Sequence, residues 1–182
     1  QYLYHKVPRK VEGNFLYPLN ELKKFEGKNN KLFEIYKNAM IKYENDAKRE
    51  NIPHTKVPTL ENVKWGDVLQ FSPIHPDDLV KALNEAGLDT AEMKFYQIDP
   101  DILDKENTTI YLYNEAEKDE LQNYAEYDKD KLKDYSVFPK MTIDYYKEHK
   151  AEFGKELMPF LYVGVPHIFH TNPLDVSKLS VI

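Results

Sequence analysis

The sequence predicts an α+β protein, a single domain in which several helices pack on a mixed or mainly antiparallel sheet. Its 182 residues suffice for a hydrophobic core without disulfides or a structural metal. Short aromatic and β-branched runs, typical of strands, outnumber the helical periodicities. These runs do not alternate strictly with helices, which argues against a doubly wound parallel sheet.

The first third of the chain is predicted to contain two short strands and one long helix. The run 2–7 is typical of a strand ended by a proline, and 15–17 is a second short apolar run. A helical turn is expected near Asn20. In 31–50, apolar residues recur at steps of three and four with Lys, Asn and Glu between them, which predicts an amphipathic helix.

The middle of the chain is predicted to hold three strands and one short helix. An exposed connector at 52–58 leads to a strand at 65–71. The helix at 76–86 has a proline and two acidic residues in its first turn and a glycine after its end. The runs 93–99 and 108–114 predict two further strands, which we expect to form a hairpin with a long connection.

The last third is predicted to begin with a solvent-exposed loop, a solvated excursion from the fold. Charged residues dominate 115–134, where we expect one helical turn at most. A helix is predicted at 140–153, followed by strands at 160–163 and 167–170 that a proline separates. The segment 174–182 is expected to pair as an edge strand.

Composition excludes several classes of function. The 31 acidic residues exceed the 25 basic ones, which argues against binding a nucleic acid polymer. Cysteine is absent, so a disulfide framework, a thiolate nucleophile and Cys-ligated zinc are excluded. No apolar run reaches the roughly 20 residues of a membrane span, and the start lacks the pattern of a signal peptide. We expect a soluble domain, spanning 1–182 and excised from a longer protein because the chain begins at Gln1.

Two tyrosines on the predicted long helix are the first candidates for ligand binding. Tyr36 and Tyr43 lie two turns apart on one face, with an axial separation of about 10.5 Å. Rings that enclose a flat base lie about 7 Å apart, so side chains converging from this spacing fit one base. The same residues lie on the apolar stripe of the helix, so a place in the core is the alternative.

Basic residues are candidates for contacting a phosphate. His5 and Lys6 lie near the end of the first strand, and Arg49 lies at the far end of the long helix. Lysine supplies a point charge and arginine a planar fork. A solvated surface charge is the alternative for each. Trp65 is a further candidate for stacking on a ligand, with a core anchor as its alternative.

No catalytic or metal-binding motif is present. His167 and His170 point to opposite faces of a strand-like run, so they do not share a metal. Asp99 and Asp101 are interpreted as part of a turn. The glycine-rich phosphate loops, the nucleophile elbow and the zinc-protease motif are missing from the sequence. We expect no catalytic residue, no metal and no cofactor, and a nucleotide would be held by side chains.

Five short segments of the chain carry a family resemblance: 2–8 (YLYHKVP), 16–20 (LYPLN), 65–69 (WGDVL), 95–100 (FYQIDP) and 163–168 (VGVPHI). In them the chain resembles the KLAMP domains, a bacterial family of nucleotide-binding modules in secreted effector proteins of intracellular pathogens. The resemblance implies binding of an adenine nucleotide such as AMP, cyclic AMP or ADP, with no assigned reaction. It also implies a larger effector that acts in the host cytoplasm, and it admits a host protein partner reached through that parent protein.

A second resemblance is to small proteins of ADP-ribosyltransferase-like fold. It rests on the Tyr-His pair of the opening strand and the Pro-His pair of a late strand. In such proteins the first histidine helps to hold NAD, and only His5 carries this over. The late catalytic glutamate has no match, because 174–182 offers Asp175 but no Glu. The alternatives to a nucleotide-binding module are therefore an NAD-binding enzyme and a protein-interaction domain.

Overall fold

The predicted α+β class is confirmed by the computed structural model, which describes residues 1–113 and 117–182. Within these residues the α-helices are α1 (Leu19–Leu22), α2 (Asn30–Glu44), α3 (Pro76–Glu85) and α4 (Lys140–Phe153). The strands are β1 (Leu3–Lys6), β2 (Phe15–Leu16), β3 (Leu69–Phe71), β4 (Phe95–Ile98), β5 (Thr108–Tyr111), β6 (Tyr124–Glu126), β7 (His167–His170), β8 (Leu174–Asp175) and β9 (Ser180–Val181). Short 3-10 turns connect several of these elements.

The strands form antiparallel sheets in the orders β1-β4-β9, β2-β8 and β3-β7-β5-β6. One isolated bridge joins the first of these sheets to the third. The Tyr4 N–H donates to the Ser72 carbonyl at 2.8 Å, and the Ser72 N–H donates to the Tyr4 carbonyl at 2.9 Å. His5, the next residue of β1, contacts β3 through its imidazole ring and not through its backbone. Its Nδ1 lies 2.9 Å from the Gln70 carbonyl oxygen.

Buried side chains form three clusters. One lies between the sheets and includes Leu3, Phe71, Ile98, Ile110 and Ile168. A second packs α3 and α4 together and includes Leu79, Leu83, Phe95 and Tyr146. The third is aromatic and consists of Val57, Trp65, Val68, Tyr111, Tyr124 and Phe169. Burial of apolar surface in these clusters supplies the main driving force for folding.

The helices α3 and α4 match their sequence signals closely. The predicted helix 140–153 is confirmed by α4, and the helix at 76–86 by α3, which ends one residue earlier. At the start of α3, the His75 ring accepts a hydrogen bond from the Asp77 N–H at 3.2 Å. At its end, Gly87 adopts a positive φ of 79° that a side chain would oppose.

The long helix is shorter than predicted, because α2 ends at Glu44 and not at residue 50. Asp46 begins a turn there: its carboxylate accepts from the Lys48 N–H at 3.0 Å, and its carbonyl accepts from the Arg49 N–H at 2.8 Å. Aspartate competes for backbone N–H groups in this way and so favours turns over helix interiors. Arg49 therefore lies in a turn after the helix, not on it.

The predicted hairpin of the fourth and fifth strands is wrong. β4 pairs with β1 and β9, whereas β5 pairs with β6 and β7. Strand patterns in a sequence carry no information on which strand is the partner, and here the partners come from both ends of the chain. β5 ends at Tyr111, and the predicted end of this strand at residue 114 lies outside the described residues.

Three further predictions need correction. The expected solvated excursion begins at 115, outside the described residues, but its later part contains β6 and a 3-10 segment, Lys129–Tyr135, that buries Leu132. The segment 160–163 forms turns and not a strand, because its bend leads to Gly164 with a φ of 79°. In 52–58, which was expected to be exposed, Pro53 and Val57 are buried.

The C-terminal segment pairs as expected, with β9 at the edge of its sheet and β8 against β2. The run 65–71 is a strand only in its second half, since Trp65–Asp67 forms a 3-10 turn. In residues 1–113 and 117–182, the helices lack the length and apolar character of a membrane-spanning segment.

Candidate ligand pocket

A pocket of about 310 Å³ opens beside the point where β1 meets β3. This volume lies at the lower end of the range of small-molecule sites, about 300 to 1,000 Å³. The residues that line the pocket are His5, Pro8, Leu16, Tyr17, Leu19, Tyr43, Ile52, Pro53, Trp65, Gly66, Val68, Leu69 and Gln70. Among these described residues there is no Asp, Glu, Lys or Arg, so the walls suit a flat, uncharged group.

The structure brings three of the six predicted site residues together in this pocket: His5, Tyr43 and Trp65. They come from β1, the last turn of α2 and the 3-10 turn before β3. The other three predicted residues do not line it: Lys6, Tyr36 and Arg49. The site is therefore smaller than the sequence suggested, and it lies at one end of α2.

The two helix tyrosines do not face a common ligand. Tyr36 stacks on Phe33 with ring centroids 5.9 Å apart and ring planes 21° apart, while Tyr43 lines the pocket two turns away. Neither is a core residue, because Leu32 is the buried residue of α2. The helix packs on α1 and on the 3-10 turn Lys23–Phe25, which leaves its aromatic face half-exposed.

His5 presents a hydrogen-bond acceptor. A carbonyl oxygen only accepts, so the contact between Nδ1 and the Gln70 carbonyl places the ring proton on Nδ1. Burial lowers the pKa of His5 below its ordinary value of 6.5, so the ring is neutral at pH 7. The remaining nitrogen, Nε2, then has a free lone pair. A ligand that contacts it must bring an N–H or O–H group.

Trp65 is fixed in place by a chain of contacts. Its indole Nε1–H donates to the Tyr124 hydroxyl at 3.0 Å, and that hydroxyl donates to the Lys118 carbonyl at 2.6 Å. The ring meets Tyr111 and Phe169 edge-on, with centroids 4.9 and 5.0 Å away. Trp65 is therefore a buried core anchor that also lines the pocket, and its stacking on a ligand stays a prediction.

The wall beside Trp65 is tied to α1. The Asn20 amide donates to an oxygen of the Asp67 carboxylate at 2.7 Å, and the other oxygen accepts from the Lys64 N–H at 2.8 Å. Gly66 is needed here because a Cβ at this position would lie 2.6 Å from the Asn20 Nδ2. The absence of a side chain at Gly66 lets α1 approach the turn.

We expect Gly66→Ala to destabilise the protein by about 1 kcal/mol, because the new methyl group displaces Asn20 from Asp67. Urea unfolding followed by Trp65 fluorescence measures the change. In the Asn20→Ala background the obstructing amide is gone, so the second substitution should cost much less. Equal costs in both backgrounds would show that the Asn20 contact is not what requires a glycine.

Some pocket residues carry no sequence signal. Tyr17, Ile52 and Gln70 line the pocket but belong to segments with ordinary strand or connector patterns. Tyr17 has a partial signal, since its ring continues an aromatic series between Phe15 and Phe25, at 6.0 and 5.1 Å. Because the pocket combines five separate stretches of chain, only their packing reveals it.

Positive charge lies around the pocket and not inside it. Burial lowers the pKa of Lys6, and the nearby charge of Arg9 lowers it further. Arg9 and Lys10 are exposed and follow Pro8, which lines the pocket. Burial raises the pKa of Tyr43, and the charge of Arg49 opposes this rise. The Arg49 carbonyl accepts from the N–H of Ile52, which lines the pocket, at 2.9 Å.

Among the described residues, no group of three or more His, Asp or Glu side chains is arranged to hold a metal ion. No family model matches this chain, and no curated protein or solved structure is significantly similar to it. The geometry of the pocket is therefore the basis for a functional proposal.

Proposed function

We propose that this protein is a binding module for an adenine nucleotide of the AMP, cyclic AMP or ADP class. The base would lie in the pocket, beside Trp65 and Tyr43, with the phosphate at the basic rim. The observation that carries the proposal is an aromatic pocket whose described lining residues include no Asp, Glu, Lys or Arg and include the neutral imidazole of His5. Aromatic rings stack on bases with about 1 to 3 kcal/mol per base.

The acceptor at His5 fits the 6-amino group of adenine, a donor at the position where guanine carries an acceptor oxygen. Guanine has donors of its own at N1 and N2, so the selectivity depends on position 6 facing the His5 ring. The ribose hydroxyls are further donors that a nucleotide offers. In either case the neutral state of His5 is the one that binds.

The resemblance to KLAMP domains supports the same ligand class. It extends the proposal to a module of a larger bacterial effector that is secreted and acts in the host cytoplasm, where a host protein would be reached through the parent protein. Three of the six residues proposed for ligand binding line the pocket. Binding at this pocket is the part of the proposal that experiments on this chain can test directly.

An NAD-binding enzyme is the second candidate, and one observation favours it. His5 of the first strand lines the pocket, as the resemblance to ADP-ribosyltransferase-like proteins implies. Transfer chemistry in that fold uses a glutamate, and the described residues that line the pocket include no carboxylate. We therefore place NAD among the ligands to be tested and propose binding without a reaction.

A thermal-shift series with AMP, cyclic AMP, ADP, NAD and the guanine counterparts tests the proposal. A ligand at 100 times its dissociation constant stabilises a fold by about 2.7 kcal/mol, which is a shift of about 5 to 11 °C for a domain of this size. We expect adenine compounds to raise the melting temperature and guanine compounds to leave it unchanged.

Tyr43→Ala should weaken binding of the best ligand by about 1 to 3 kcal/mol, because it removes one stacking surface. Tyr36→Ala is the matched control, since this tyrosine lies on the same helix but outside the pocket. Titration of each variant by calorimetry gives both affinities. Equal losses would place the ligand elsewhere on α2, and no response to any nucleotide would favour the protein-interaction alternative.

A further inference from the structure

Arg49 is held in one orientation by two contacts. Its guanidinium carbon lies 3.4 Å from the centroid of the Phe160 ring, a face-on stacking distance. Its Nε lies 3.1 Å from a carboxylate oxygen of Asp46, three residues earlier. Both contacts leave the terminal amino groups of the guanidinium as further donors. The side chain remains 37% exposed, so these donors are accessible.

The turn that carries Arg49 leads directly into the pocket wall. The Ile52 N–H donates to the Arg49 carbonyl at 2.9 Å, and Ile52 and Pro53 both line the pocket. The positive charge of Arg49 also opposes the rise that burial causes in the pKa of Tyr43, another lining residue. Phe160 belongs to the segment between α4 and β7, which lies far from the pocket in the sequence. Its backbone N–H bonds to the Tyr145 hydroxyl at 3.3 Å, which anchors the ring to α4.

We propose that Arg49, held flat on Phe160, is the subsite for the phosphate of the ligand, and that Phe160 is its positioning residue. This inference rests on the proposed function. A guanidinium is well suited to the role because its planar donors match two phosphate oxygens at once. Its contact with Phe160 is available before the ligand arrives, so less side-chain freedom is lost on binding.

The loop after Pro8 is the competing location for the phosphate. Arg9 and Lys10 are exposed there, with no ion pair or aromatic stacking partner among the described residues. A side chain without such contacts loses more rotamer freedom on binding than Arg49, which is already oriented. The stacked guanidinium therefore makes the stronger site.

The experiment compares the affinities of AMP and adenosine by calorimetry, because these ligands differ only in the phosphate. In the unaltered protein we expect AMP to bind about tenfold more tightly. Arg49→Gln should abolish this ratio by weakening AMP alone. Phe160→Leu, which keeps an apolar side chain but removes the ring, should lower the ratio about threefold, and Phe160→Tyr should preserve it. Arg9→Gln is the matched control and should leave the ratio unchanged.

The outcomes separate this inference from the proposed function. If adenosine and AMP bind equally well, the phosphate subsite is wrong while the base pocket stands. If the ratio of AMP to adenosine affinity falls with Arg9→Gln and not with Arg49→Gln, the phosphate lies at the loop of Arg9 and Lys10. If Arg49→Gln weakens adenosine as much as AMP, the residue acts on the fold and not on the phosphate. Failure of both ligands to bind contradicts the proposed function and this inference together.

Discussion

Phe169→Ala is expected to destabilise the protein by about 3 to 5 kcal/mol, the usual cost of removing a fully buried aromatic side chain. The ring stacks on Tyr111 with centroids 5.7 Å apart and meets the edge of Trp65 at 5.0 Å. Its loss leaves a cavity directly behind the pocket wall. Urea unfolding gives the change in stability, and Trp65, the single tryptophan, reports it by fluorescence.

The same substitution should weaken adenine-nucleotide binding, since Trp65 loses one of the rings that fix it. Phe169→Leu is the control, because it refills much of the cavity and should cost about 1 to 2 kcal/mol. A Phe169→Ala variant that keeps both its stability and its fluorescence would mean that the aromatic cluster does not support the wall.

Acidification from about pH 6.5 to about pH 4 should lower the free energy of unfolding by about 3 kcal/mol through His167 alone. Burial lowers the pKa of this residue from 6.5 to about 4. Between these values the unfolded chain binds a proton that the folded chain does not, so stability falls as the pH falls. Burial lowers the pKa values of His5 and His170 as well, and they act in the same direction.

Urea unfolding at a series of pH values measures this slope. The ring of His167 is surrounded by those of Tyr111, Tyr113, Tyr162 and Phe169, which offer no carboxylate to a protonated imidazole. His167→Gln removes the titrating group, so the difference between its slope and that of the unaltered protein isolates this histidine from the acidic residues. Parallel curves would show that His167 titrates normally in the folded state.

The fold class and the best helices followed from local signals. α3 and α4 are bounded by prolines at their starts and glycines after their ends, and these residues act within one turn of chain. The end of α2 was missed because its apolar periodicity continues past Asp46, whose preference for a turn prevails. The predicted pairing of the fourth and fifth strands was wrong, because pairing depends on residues far apart in the sequence.

Three of the six proposed site residues line the pocket, and the sequence explains their positions only in part. Trp65 was selected as the single tryptophan of the chain, and His5 for its place near the end of the first strand and for the second resemblance. Tyr36 was chosen by helical spacing, but α2 lies at the side of the sheets and presents only its last turn to the pocket. Phe160 gave no signal, since its stacking on Arg49 depends on two separate turns meeting.

The order of the four-stranded sheet bears on how this protein folds as it leaves the ribosome. β3 carries part of the pocket wall, and its ladder partner is β7, about 100 residues later. The pocket-lining residues, all within the first 70, therefore emerge long before the strand that secures them. During synthesis this apolar surface stays exposed in a partly folded chain until residue 170 has left the exit tunnel. Exposed apolar surface of this kind is what chaperones bind.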